Sequence, residues 1–182
     1  MKITKTEFSE LLVVEPEIFG DERGYFFESW QKEKYTNAGL NVDFIQDNIS
    51  KSRKGTIRGL HYQAEPGAQD KLCYVISGKV LDVAVDIRLG SPTFGKHYAI
   101  ELSGENKKQL FLPKGFAHGF SVLSDEAVFM YKVSTLYMPA CERVIIYNDT
   151  DLAVNWMVEN PIISAKDLKG KPFKEIEKDF IY

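Results

Sequence analysis

Short runs of β-branched and aromatic residues, about ten of them, follow one another along the chain with turn chemistry between many, and this punctuation limits the fold more than any other feature. The runs are Leu11–Val14, Tyr25–Trp30, Phe44–Ser50, Thr56–Gln63, Lys71–Ile76, Leu81–Arg88, Tyr98–Leu102, Gln109–Leu112, Gly119–Leu123, Ala127–Thr135 and Arg143–Tyr147. The clearest, Leu81–Arg88, alternates large apolar residues with small or charged ones, the period of a strand with one buried face. Turn signals separate the runs at Glu65-Pro66-Gly67, Ser77-Gly78-Lys79, Leu89-Gly90-Ser91-Pro92, Ser103-Gly104-Glu105-Asn106 and Pro113-Lys114-Gly115. Many short strands with short connections make a β-sandwich, jelly roll or barrel. Helix is confined to Gln31–Ala38, stopped by Gly39, and to a Ser-capped turn at Ser164–Asp167. Neither builds βαβ alternation, and no Gly-rich phosphate loop occurs, so a doubly wound nucleotide-binding sheet is excluded.

The 182 residues contain no repeat, low-complexity tract or linker, so the chain reads as one domain, residues 1–182. Its 23 Lys and Arg against 26 Asp and Glu argue against a general nucleic-acid binder, and any phosphate-bearing ligand needs a local cluster of cations. No apolar run approaches the ~20 residues of a membrane span, and Met1–Lys5 lacks the apolar core of a signal peptide, which gives a cytoplasmic expectation. Cys73 and Cys141 are too far apart for a close-spaced metal motif and read as two thiols.

Three histidines carry different local contexts. His61 lies in Arg58-Gly59-Leu60-His61-Tyr62-Gln63, either as a base or as a half-buried strand residue bonded to a carbonyl. Period-two geometry puts Arg58 and His61 on opposite faces; if both serve one site the strand must bulge, and Gly59 is where it can. His118 lies in the Pro/Gly loop entering a strand, and His97 reads as a surface residue. The H-x-H pair of metal-binding cupins is absent, so no metal is expected. Tyr131 and Tyr137 share parity, which on a continuous strand puts both rings on one face, as bonded core tyrosines or as a proton donor beside a stacking platform. Arg23, Arg58, Lys71 and Lys166 are scattered in sequence, and converging in a barrel mouth they make a diphosphate-binding cluster.

Six ordered blocks resemble one family. Asp21–Glu28, Gln46–Ser50, Gly55–Gln63, Asp82–Arg88, Pro113–Phe120 and Tyr131-Lys132 follow the pattern of the dTDP-4-dehydrorhamnose 3,5-epimerases, from about residue 3 to residue 167. The resemblance implies an all-β, cupin-like jelly-roll β-sandwich with a few short helices, its core spanning about residues 20–160 between N-terminal strands and a C-terminal extension. It implies a homodimer without metal or other cofactor. The implied substrate is the dTDP-sugar dTDP-4-dehydro-6-deoxy-D-glucose, inverted at C3 and C5. It implies His61 as general base with Asp167 orienting it, Tyr131 as acid on the opposite face of the sugar, and Lys71 at the enolate oxygen. Tyr137 is implied to stack on thymine, and Arg23, Phe26, Glu28, Gln46, Asn48, Arg58, His118, Glu142 and Lys166 to contact nucleotide or diphosphate.

The chemistry agrees: a proton beside a ketone needs a tuned base and a fixed positive charge at the oxygen, and inversion needs an acid on the other face. The departures from the family pattern cluster after Pro139, at Val144, Tyr147, Thr150 and Ala153. They leave open an epimerase acting at only C3 or only C5 of a related sugar. A sugar-nucleotide-binding jelly roll without turnover is the non-enzyme alternative.

Overall fold

The computed structural model describes residues 1–8 and 10–182. The strands in order are β1 (Lys2–Lys5), β2 (Leu12–Glu15), β3 (Ile18–Asp21), β4 (Gly24–Phe27), β5 (Gln46–Arg53), β6 (Ile57–Gln63), β7 (Lys71–Ser77) and β8 (Lys79–Asp86). They continue as β9 (Arg88–Leu89), β10 (His97–Ser103), β11 (Gln109–Leu112), β12 (Phe116–Val122), β13 (Glu126–Val133), β14 (Glu142–Val144) and β15 (Phe180–Ile181), with one α-helix, α1 (Lys32–Asn37), between β4 and β5. A six-stranded sheet, β1-β2-β11-β7-β13-β5, faces a five-stranded sheet, β10-β8-β12-β6-β14. This is the expected all-β jelly-roll sandwich.

Three apolar clusters explain why these sequences fold this way. Between the sheets pack Val13, Cys73, Val75, Leu110 and Phe129 from one side and Val80, Ala84, Phe116, Phe120 and Val122 from the other, with Phe120 stacked on Phe129 at 4.2 Å. The outer face of the five-stranded sheet, with Leu81, Val83, Val85 and Ala117, is covered by Ile145, Leu152 and Trp156 from the C-terminal stretch. Tyr35 and Leu40 of the α1 region cover Val14, Leu72 and Phe111 on the outside of the six-stranded sheet.

This layering corrects the reading of Leu81–Arg88 as a strand with one buried face. β8 is buried on both faces: its large apolar residues face outward under the C-terminal cover, and Asp82 points into the sandwich toward His118. The predicted helix forms over Lys32–Asn37, with the Gln31 side chain capping the Lys34 amide. The capped turn at Ser164 is also present, as a 3₁₀ turn over Asp167–Lys169 whose first amide donates to Ser164 Oγ at 3.0 Å. Three short strands lie outside the predicted runs, β1, β3 and β15, and β9 begins at Arg88, the last residue of the Leu81–Arg88 run.

Candidate active site

β6 positions the centre of the site. On the neighbouring strand β12, His118 pairs with His61 and Phe120 with Arg58, so two residue steps on β12 face three on β6. That extra residue is the bulge expected if Arg58 and His61 serve one site, and it falls at Gly59-Leu60. Ile57, Leu60 and Tyr62 go outward to the second core, while Arg58 and His61 both turn inward, Arg58 Nε donating to Ser52 Oγ at 3.0 Å. Only glycine fits here: Gly59 has φ +123°, and a Cβ on it would lie 2.5 Å from the Gly119 Cα.

His61 Nε2 lies 2.8 Å from Asp167 Oδ1. Asp167 is itself held by the Gly59 amide at 3.4 Å and by the Ser164 cap. Burial alone would push the Asp167 carboxyl upward, but the His61 ring and the Gly59 and Ser164 hydrogen bonds outweigh it and bring the group below its ordinary value. The carboxylate is thus ionised and aimed. The His61 side chain keeps 31% of its surface open while Asp167 keeps 4%, so the pair is an anchored imidazole with one accessible side. A cleft of about 590 Å³ opens there, lined by Ser52, Arg58, His61, Lys166 and Asp167 among others.

The opposite sheet supplies the other groups. Tyr131 pairs with Asn48 on β5 and with Cys73 on β7, and Lys71 pairs with Val133. Gln46, Asn48, Lys71 and Tyr131 therefore share the inward face of the six-stranded sheet, because directly opposed residues point the same way. Burial raises the Tyr131 phenol, with Cys73 adding and the charges of Arg58 and Lys166 opposing, so the ring holds its proton. Lys71 is buried and lowered, chiefly by desolvation, against the pull of Cys73, Asp82 and Glu142.

A second His–Asp pair lies deeper: His118 Nε2 is 3.0 and 3.1 Å from the two carboxylate oxygens of Asp82, both side chains buried. Burial lowers His118, with Lys71 and His61 adding to this and Asp82 opposing it. At the rim, Glu142 accepts from Tyr137 at 2.9 Å and pairs with Lys166 at 2.6 Å.

The structure thus brings together His61, Asp167, Arg58, Lys71, Tyr131, Gln46, Asn48, Glu142, Lys166 and Tyr137 around one lumen and its rim, with His118 on its floor. Two sequence expectations change. Tyr131 and Tyr137 do not share a continuous strand, since β13 ends at Val133 and Tyr137 sits on the following loop. Arg23, Phe26 and Glu28 do not join the cluster: Arg23 pairs with Asp21 in its own hairpin, Glu28 pairs with Lys34, and Phe26 is exposed. That hairpin lies at the far end of the sheet, where Tyr25 sits under the Lys107 ammonium, two residues before the end of β11 distant from Lys71.

Sequence reasoning missed Asp82 and Gln63. Buried Gln63 fixes the Tyr137 loop by donating to the Gly67 and Leu136 carbonyls and accepting from the Met138 amide at 2.6 Å. The signal for Asp82 was present: a charge flanked by apolar residues on a strand between turn signals has to face a polar lumen.

Fold and site together define a cupin-like jelly-roll protein whose lumen is equipped for proton transfer to and from carbon. The family model described as dTDP-4-dehydrorhamnose 3,5-epimerase matches residues 5–175, and the chain belongs to that family. It is 52% identical to a dTDP-4-dehydrorhamnose 3,5-epimerase of Shigella flexneri over 97% of this chain and 98% of the relative. It is similar, with TM-score 0.96, 49% identity and 100% and 98% of the two chains covered, to a dTDP-6-deoxy-D-glucose-3,5-epimerase of Legionella pneumophila solved with dTDP-4-keto-L-rhamnose. A 3'-monoepimerase of Streptomyces bikiniensis, solved with dTDP-quinovose, is more distant, with TM-score 0.88, 32% identity and 93% and 87% covered. No helix among the described residues is long and apolar enough to cross a membrane.

Proposed function

We propose that this chain is a dTDP-4-dehydrorhamnose 3,5-epimerase that inverts both C3 and C5 of dTDP-4-dehydro-6-deoxy-D-glucose. The single observation that carries the reading is half-open His61 on one sheet, held by Asp167 of the 3₁₀ turn and facing Tyr131 on the other sheet with Lys71 buried beside it. Facing sheets stand about 10 Å apart, room for one sugar ring between base and acid. The higher identity to relatives named for both centres than to the 3'-monoepimerase favours two inversions over one.

Each inversion takes a proton from the carbon beside the C4 ketone to the His61 nitrogen that Asp167 leaves free. The electron pair moves to the C4 oxygen, where the Lys71 ammonium meets the developing charge. Tyr131 then delivers its proton to the opposite face of the same carbon. His61 gives its proton to solvent and Tyr131 takes one back, so the enzyme ends as it began. Arg58 and Lys166 hold the diphosphate, Gln46, Asn48 and His118 complete the nucleotide-sugar contacts, and Tyr137, braced by Glu142, offers its exposed ring to thymine.

A second copy of the chain completes the site in this reading. The β3–β4 hairpin exposes Ile18, Phe19, Tyr25 and Phe26, apolar surface that a partner's sandwich would cover, and a homodimer would bring Arg23, Phe26 and Glu28 to the partner's mouth. The free thiols Cys73 and Cys141 support a reducing, cytoplasmic setting.

The test is proton exchange. Incubated with dTDP-4-dehydro-6-deoxy-D-glucose in D₂O and followed by NMR, the protein should place deuterium at both C3 and C5. Label at one carbon alone would replace the reading by a single-centre epimerase, and label at neither would leave a binding protein.

A further inference from the structure

Cys73, Asp82 and His118 come from β7, β8 and β12, strands of two facing sheets, and meet in the interior. All three are buried, and the Cys73 sulfur, a carboxylate oxygen of Asp82 and a ring nitrogen of His118 lie within 4.8 Å of one another. The proposed reaction gives Cys73 no task.

We propose that this cluster binds a thiophilic divalent cation, zinc foremost, and that the bound ion inhibits the enzyme. One thiolate, one imidazole and one carboxylate are a donor set that zinc accepts, with a fourth position open. Ordinary zinc–ligand bonds in tetrahedral arrangement put the donors roughly 3.4–3.6 Å apart. The His118–Asp82 contact of 3.0 Å needs to open by only a few tenths of an ångström, and the wider spacings need to close within 4.8 Å. On binding, the Cys73 thiol gives its proton to water, and thiolate and carboxylate neutralise the cation. Lys71, whose charge is felt at both Cys73 and His118, opposes the ion, so the site binds reversibly and more weakly than a structural zinc site. An ion here replaces the His118–Asp82 hydrogen bond, neutralises the carboxylate charge that acts on Lys71, and stands on the floor of the lumen. The inhibition rests on the epimerase reading; the binding does not.

Cobalt(II) is the probe for binding. Titrated into the purified full chain, it should give one equivalent of a four-coordinate spectrum with a sulfur-to-cobalt charge-transfer band, displaced by zinc and untouched by magnesium. Cys73→Val should lose that band and bind cobalt more weakly by at least about a hundredfold. Cys73→Ser, as a second variant, should lose it too, and Cys141→Ser should keep it. Zinc should inhibit the wild-type protein and spare Cys73→Val, which retains its basal turnover. Absence of a thiolate band, its survival in both Cys73 variants, or its loss in Cys141→Ser would overturn the site. Cobalt bound through Cys73 without any inhibition by zinc would overturn the inhibitory role, and neither cobalt result depends on the substrate.

Discussion

The two His–Asp pairs are built from the same side chains at nearly the same spacing, 2.8 Å for His61–Asp167 and 3.0 Å for His118–Asp82, yet their surroundings give them different chemistry. His61 keeps 31% of its side chain open, whereas His118 keeps 8%. Asp167 is fixed from behind by a bulged strand and a capped turn, and its hydrogen bonds go to the His61 ring and the Gly59 amide, with the Lys166 charge nearby. Asp82 is bonded to His118 deep in the sandwich, and its charge also acts on the buried Lys71. Access and burial, more than the pair itself, suit the open imidazole to the base role proposed for it and keep the other a buried group on the lumen floor.

The sharpest way to break this comparison is to remove each carboxylate. Asp167→Ala should cut turnover by about 10²–10⁴-fold, the range a positioned base contributes, with a smaller loss of stability than Asp82→Ala. Asp82→Ala should instead strand the buried Lys71 charge and cost about 3–5 kcal/mol of stability, read by denaturant unfolding. Equal losses of rate with unchanged stability in both variants would show that the pairs are not divided in this way.

Gly59→Ala tests the bulge that separates the two environments. A Cβ there meets the Gly119 Cα at 2.5 Å with φ at +123°, and about 2–4 kcal/mol of stability should be lost, with His61 displaced and activity falling in parallel. Wild-type stability in this variant would mean the strand accommodates the bulge differently.

The pairs should also titrate in different windows. His118 is held below its ordinary value of 6.5, so between its folded value and about pH 6.5 the unfolded chain binds more protons and stability falls as pH falls. Asp167 is held below 3.8, so its contribution is complete above about pH 4 and is lost as pH falls through the folded value. Unfolding midpoints measured against pH should flatten in the upper window for His118→Asn and in the lower one for Asp167→Asn. The smallest effect belongs to Ser164→Ala, which removes one hydrogen bond to the Asp167 amide and should cost about 1 kcal/mol with a modest loss of turnover.

Much of this was readable from residues alone, and the reasons differ by element. The bulge followed from a contradiction: Arg58 and His61 cannot share a face at period two, and a glycine lies between them. The α1 and Ser164 caps followed from local side-chain chemistry. Tertiary placement was harder. β8 has the alternation of a half-buried strand, but a C-terminal layer covers its apolar face, which no local pattern announces, while Asp82 enters the lumen and Asp86 bonds the turn residues Arg88, Ser91 and Thr93. Tyr137 shares parity with Tyr131, yet Gln63, seventy-four residues before it in sequence, fixes the loop that carries it. Asp167 reaches His61 across 106 residues, and only the resemblance to the family, not spacing, pointed to that contact. The β3–β4 hairpin shows the same limit, because in the proposed homodimer the surface its exposed rings would cover belongs to another copy.

The division between the two imidazoles has one most direct test. Deuterium entry at C3 and C5 of the substrate, followed by NMR in D₂O for His61→Ala and His118→Ala beside the wild type, separates removal of the base from damage to the floor. His61→Ala should show no exchange at either carbon above the enzyme-free rate, while His118→Ala should still exchange, more slowly than wild type. Exchange by His61→Ala at the wild-type rate, or its complete loss in His118→Ala alone, would contradict the account.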